Sequence, residues 1–176
     1  MMQPPSAAAD PATAGAGLVR GIAVEFRRRL QGEYLPRIAY CVKLLGPGLL
    51  WQRPGPFGNS VGNLLLHLCG NTTQWILATF GKVADQRQRD LEFAADGGHD
   101  GDRLLAALTV VVEQACAVVD GLDAAELLRV RRIQQRYDET GLAAVLHVME
   151  HFSGHAGQIY AWTKQARGVD LKFYDL

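Results

Sequence analysis

The chain has 176 residues, 48% of them apolar, and its 18 basic and 18 acidic side chains cancel. That length and apolar share suit one domain with a continuous core. Zero net charge excludes a global field that would draw the chain onto nucleic acid or an anionic membrane, and the most apolar stretch, around Leu104 to Val112, is far shorter than the roughly 20 residues of a membrane span.

Residues 1–16 are mostly Ala, Pro, Gly and Ser, so ordering them would cost chain entropy without burying surface, and a disordered tail is expected. They lack a basic segment followed by an apolar one, so no secretion signal is read and the expected location is cytoplasmic. From Leu18, the positions Ile22, Phe26, Leu30, Leu35, Ile38, Cys41, Val42 and Leu45 keep helical spacing, with Gly32 and Pro36 marking a kink or break and Gly46-Pro47-Gly48 a stop. Leu49 to Gly58 reads as a loop carrying Trp51. Asn59 and Ser60 are cap residues for a second helix from about Val61 to Phe80, closed by Gly81.

The connection from Lys82 to Gly101 is polar, charged and longer than ordinary helix connections, and long loops of this kind are often functional. A third helix, roughly Asp102 to Leu122, lines up Leu105, Leu108, Val112, Ala115 and Val119 on one face. Arg129 to Asp138 reads as a short extended segment, and its arginines, Arg129, Arg131, Arg132 and Arg136, as a solvated surface without a nucleic-acid reading motif. Asp138 or Thr140 caps a last helix, Gly141 to Ala166, which stops at Gly168. The tail from Asp170, with Phe173 and Tyr174, is expected to dock. Cys41, Cys69 and Cys116 are widely spaced in apolar helical surroundings, as reduced buried thiols would be. Together these elements describe an all-α protein, an antiparallel bundle with long crossover loops.

Three of the five histidines, His147, His151 and His155, recur at four-residue intervals on the last helix. Side chains at i and i+4 lie about 5–6 Å apart at Cβ, so two imidazoles can converge on one ion, whereas three in a row cannot easily do so. A further ligand must come from another helix. His67 is the candidate, because Asn63, His67, Asn71 and Gln74 make a polar face amid leucines. On the last helix the histidine face continues through Gln158 towards Trp162, while Leu142, Val145, Leu146, Met149 and Phe152 occupy the other faces.

The run from Asn59 through His67-Leu-Cys-Gly-Asn-Thr-Thr-Gln-Trp75, with His147-Val-Met-Glu-His151-Phe-Ser-Gly-His155-Ala-Gly-Gln158, resembles the DinB/YfiT-like metalloenzyme superfamily, and within it a bacterial branch of unassigned function. The likeness extends from about Leu18 to the end, with Trp51-x-x-Pro54 before the second helix and Arg87-x-Arg89-Asp90-x-Glu92-Phe93 in the long loop. It implies a single DinB-like four-helix-bundle domain over residues 17–176 and a divalent metal, zinc or nickel, held by His67, His151 and His155. His147 departs from that set, as an outer hydrogen-bonding group or a satisfied interior one. Gln158, Glu92, Arg89 and Trp51 are candidates for the outer shell or the mouth. Three protein ligands leave a coordination position open, as catalytic sites do. Members with assigned roles include transferases and an isomerase that use low-molecular-weight thiols, which implies a small-molecule substrate, a thiol among the candidates, and a homodimer as the oligomer to test. No residue is singled out as catalytic.

Rival readings follow from the same residues. His147-Val-Met-Glu150-His151 matches the inverted zinc-protease motif, but that mechanism takes a further ligand from a later helix, and only 25 residues follow His151. A non-catalytic metal-binding or dimerisation bundle is the other alternative, and a fourth protein ligand closing the site would favour it.

Overall fold

The protein, described here by a computed structural model over residues 10–173, is mostly helical, with one two-stranded hairpin. Asp10 caps the first helix, α1 (Pro11–Arg27), its carboxylate accepting from the Thr13 amide. A proline at a helix start has no N–H to leave unpaired. Residues 11–16, which composition assigns to a disordered tail, are therefore helical, because a cap and a proline supply the start signal that composition alone overlooks. The rest of that tail, residues 1–9, lies outside the described residues.

The rod passes through a wider π-helical turn, Arg28–Tyr34, into α2 (Leu35–Leu50). Gly32 thus falls inside the widened turn and Pro36 just after it, in the first turn of α2, so the rod continues without a break. Gly46, at φ 65°, takes the backbone out of helical geometry, and one further turn follows to Leu50.

Ser60 and Asn63 form a reciprocal capping box that starts α3 (Val61–Thr72). A second π-helical turn, Thr73–Ala78, extends it to the left-handed Gly81, at φ 76°. The long connection holds a short helix, α4 (Arg89–Ala94), too brief for periodicity to reveal. Next come α5 (Gly101–Asp120), capped by Asp100, and the short α6 (Ala124–Leu128), also unforeseen. Strands β1 (Val130–Ile133) and β2 (Tyr137–Thr140) pair antiparallel, Val130 opposite Thr140 and Ile133 opposite Tyr137. In the turn between them Gln134 and Gln135 are both left-handed, at φ 55° and 54°. Thr140 caps α7 (Gly141–Arg167), which ends at Gly168 in the left-handed region, at φ 63°.

Phe26, Leu30, Ile38, Leu65, Leu68, Ile76, Leu108, Phe152 and Ile159 are fully buried and form the centre. Full burial of such side chains stabilises by about 1.5–3 kcal/mol each. Around them α3 packs on α5 and α7, and α2 on α7 and α5. On α5 the buried stripe is Leu104, Leu108, Val112, Ala115 and Val119, so Leu104 lies deeper than the expected Leu105. On α7 the stripe includes Val145 and Phe152, while Leu146 is half exposed.

After Gly168 the chain docks through buried Leu171 and through Phe173, whose ring meets Tyr160 edge-on at 4.9 Å; Tyr174 lies outside the described residues. Cys41, Cys69 and Cys116 are free thiols, the first and last buried. The hairpin arginines are engaged locally: Arg131 lies over the Phe80 ring and pairs with Glu126, and Arg132 pairs with Asp138 at 2.7 Å. Among the described residues no helix is long and apolar enough to cross a membrane.

Candidate metal centre

His67 sits two turns into α3, and the i, i+4 pair His151 and His155 sits in the middle of α7. Where the two helices pack, the three imidazoles meet: one ring nitrogen from each lies within 4.8 Å of the other two. The closest approach is Nε2 of His67 to Nε2 of His151, at 2.8 Å. Among the described residues no fourth His, Cys, Asp or Glu joins the group. A cleft of about 430 Å³, lined by His147, Glu150, His151, Gly154, His155 and Gln158, opens onto the α7 side.

The two sides differ in how they are held. His67 is 4% exposed, and its Nδ1 lies 2.9 Å from Glu92 Oε2. Arg87 grips the same carboxylate with a fork, Nε to Oε1 at 2.7 Å and Nη2 to Oε2 at 2.9 Å. Arg87 Nη2 also lies 3.0 Å from His67 Nδ1, but both cannot be donors to one another. The carboxylate, which accepts from each, resolves the arrangement. Burial pushes the Glu92 carboxyl up, yet the hydrogen bonds from Arg87 and His67 outweigh it and hold the group below its usual range.

The α4 segment is pinned by two further side chains. Asn63, whose Oδ1 serves the capping box, donates through Nδ2 to the carbonyls of Glu92 at 2.9 Å and Ala95 at 2.6 Å. Arg53 donates to the Phe93 carbonyl at 2.6 Å. The Phe93 ring then covers His67 at a centroid distance of 4.6 Å.

On α7, burial drives His151 down to about 3, aided by its histidine neighbours and Arg87. Burial lowers His155 as well, against a hydrogen bond to Gln158 at 2.9 Å. At neutral pH both are neutral imidazoles with a lone pair to offer, as a metal requires. Three nitrogen donors of this kind suit zinc, nickel and related ions, so the residues present fit a divalent cation.

His147 is placed apart from this convergence. Its ring stacks on Trp75 at 3.7 Å and its Nε2 lies 3.2 Å from Asn71 Nδ2. The pair that converges with His67 is therefore His151 with His155, not the His147 and His151 of the inverted protease motif, and Glu150 is exposed. Gln158 and Glu92 touch the histidines directly. Arg89 reaches them only through Phe93, over whose ring it lies at 4.7 Å. Trp51 lines no part of the cleft. Its Nε1 donates to the His99 carbonyl at 2.9 Å, and its ring covers Gly62, where a Cβ would stand 2.7 Å from the indole.

A family model described as the DinB superfamily matches residues 36–159, a span that contains all three histidines. The chain belongs to the DinB superfamily. A crystal structure of a DinB-like protein from Bacillus subtilis, YjoA, superposes on this DinB chain with a TM-score of 0.63, covering 88% of this chain and 96% of that one. Identity is 17%, so the likeness is one of fold. No curated protein matches.

Within this DinB chain, sequence reasoning placed Asn63 on the polar face of His67 and Arg87 and Phe93 in the long-loop motif, but gave none of the three a role at the site. Asn63 carried a signal, since Ser60-x-x-Asn63 has capping-box spacing. Arg87 and Phe93 stand in the stretch that carries the family resemblance, but their approach to His67 depends on how the long connection folds back over α3.

Proposed function

We propose that this DinB chain is an antiparallel four-helix bundle holding a divalent cation, zinc or nickel, on His67, His151 and His155, and that it uses the open position in transfer or isomerisation chemistry with a low-molecular-weight thiol. The observation that carries this reading is the convergence of three imidazoles beside an open cleft, without a fourth protein ligand among the described residues. A cation bound there supplies Lewis acidity and holds a ligating thiol as thiolate, the nucleophilic form.

The chain's own cysteines do not serve as that nucleophile. Burial pushes Cys69 up to about 12 and Cys116 up to about 11, and raises Cys41 too, so none yields thiolate near neutrality. The thiol of this reading is an external small molecule, since among the described residues no cysteine joins the histidine group. Glu150 and Gln158 stand at the mouth and offer it a carboxylate and an amide.

The test pairs metal content with activity. Elemental analysis of untagged wild type is expected to give about one ion per chain, with His67→Ala, His151→Ala and His155→Ala losing it and His147→Ala keeping it. Conjugation of a small electrophile should then require both the ion and an added thiol. Turnover that survives a chelator would exclude the thiolate chemistry, and an ion-free wild type under metal-replete conditions would remove the metal reading altogether.

A further inference from the structure

One turn beyond His67 on α3, Gly70 leaves a notch in the helix surface. A Cβ built there would collide with Glu92 Oε1 and stand 2.9 Å from Arg87 Nε. The Arg87–Glu92 fork thus lies directly against α3 at Gly70, from where both side chains reach His67 Nδ1. The pair is almost dry, with side-chain exposures of 6% and 11%. The network continues outward: Arg87 Nη1 donates to Gln74 Oε1 at 3.0 Å, and Gln134 of the hairpin turn donates to the same oxygen at 2.8 Å.

The donors and acceptors of Arg87 and Glu92 set the protonation pattern of the imidazole. Arg87 has only donors and fills one lone-pair position on each Glu92 oxygen. Glu92, gripped on both oxygens by the Arg87 fork, offers His67 only acceptors. At 2.9 Å the contact to His67 Nδ1 is then an N–H donated by the ring, and Nε2 is left with its lone pair, facing His151. In the ion-free protein the 2.8 Å contact between the two Nε2 atoms is consequently donated by His151.

We infer that Gly70, Arg87 and Glu92 form a tautomer lock, positioning residues that hold His67 with its proton on Nδ1 and present Nε2 to His151. This deepens the metal-centre reading and rests on it for its purpose, but the lock itself acts with or without an ion. Gly70 is the telling member. Alanine at 70 removes no hydrogen-bonding group and favours the helix, yet it expels the carboxylate from its notch. Glu92 can yield because it is the far end of a flexible side chain, so the fold survives while the lock opens.

The experiment is a long-range ¹H–¹⁵N spectrum of the histidine rings in ion-free protein, beside zinc titrations of the same samples. Wild type should show His67 with a pyrrole-type Nδ1 and a pyridine-type Nε2. In Gly70→Ala and Glu92→Gln that signature should give way to a mixture of tautomers, with zinc affinity about 10–100-fold lower, while helix content stays that of wild type. Glu92→Asp in the Gly70→Ala background, a shorter carboxylate with room to retreat, should recover part of the affinity. A His67 that keeps Nδ1–H in both single variants overturns the lock, as does wild-type zinc affinity in both. If wild type binds no zinc, the metal reading fails, while retention or loss of the Nδ1–H signature still decides the lock.

Discussion

Two Arg–Glu arrangements in this chain use the same chemistry and differ in their access to water. On the first rod, Glu25 accepts from Arg28 at 2.6 Å and from Arg29 at 2.8 Å, and Glu33 accepts from Arg29 at 3.2 Å and Arg37 at 2.7 Å. There the Arg28 and Glu25 side chains are 51% and 41% exposed, against 6% and 11% for Arg87 and Glu92. Glu25 is held down at about 2 by its two arginines, so the ladder is well formed, but water and salt screen it. The buried pair has no such screen. Distances alone would rank the two alike; burial separates a decorated surface from a component of the site.

The contrast is broken most sharply by Arg87→Met, which strands the Glu92 carboxylate in the interior. Removing one partner of a buried pair costs about 3–5 kcal/mol, and urea unfolding should show a loss of that order. A loss no larger than that of a surface substitution would put Arg87 in the same class as the ladder.

Acid comes next. His151 and His155 titrate lower in the folded chain than the ordinary histidine value of 6.5, so the unfolded chain binds more protons below it. The stability they contribute is fully present above about 6.5 and is lost as pH falls, for His151 towards about 3. Glu92, also lowered, adds loss in the same direction once pH drops below the ordinary carboxylate range. Chelated protein melted across pH 7 to 4 should therefore lose stability with acid, and His151→Ala should flatten the upper part of that curve.

A smaller effect attends Ser60→Ala. It removes the capping box that orients Asn63 against α4, for about 0.5–2 kcal/mol in urea unfolding. Smallest is Glu25→Gln on the ladder. Its urea midpoint should match wild type at physiological salt, and a shift that persists in 1 M salt would contradict the screened reading.

Much of this architecture was legible in the chain. The long helices, their Gly81 and Gly168 stops and the Ser60 and Thr140 caps follow from periodicity and local backbone chemistry, which operate over a few residues. The histidine pair on α7 was legible for the same reason. His67 as its complement was suggested by a polar residue among leucines, and the choice of His155 over His147 came from family resemblance rather than spacing, since i, i+4 geometry fits both pairs. Glu92 and Gln158 were named, but nothing local tells that Glu92 points inward to His67 or that Trp51 closes on Gly62 instead. Those outcomes depend on how residues 82–100 lie across α3, fixed by contacts such as Asn63 to the Ala95 carbonyl across 32 residues. The start of α1 was misjudged because an Ala-rich segment with little to bury still forms a helix once capped.

The hairpin turn has a bearing on how this protein can be toughened against heat. Gln134 and Gln135 both occupy left-handed backbone, a conformation costing a residue with a Cβ roughly 1–2 kcal/mol. Gln134 is committed there by its side-chain bond to Gln74, within reach of Arg87. Its neighbour has no such side-chain bond among the described contacts, so glycine at position 135 relieves the backbone, part of the gain being returned by glycine's greater freedom in the unfolded chain. A thermostabilised variant can thus begin at a residue whose replacement leaves the histidine cluster as it was.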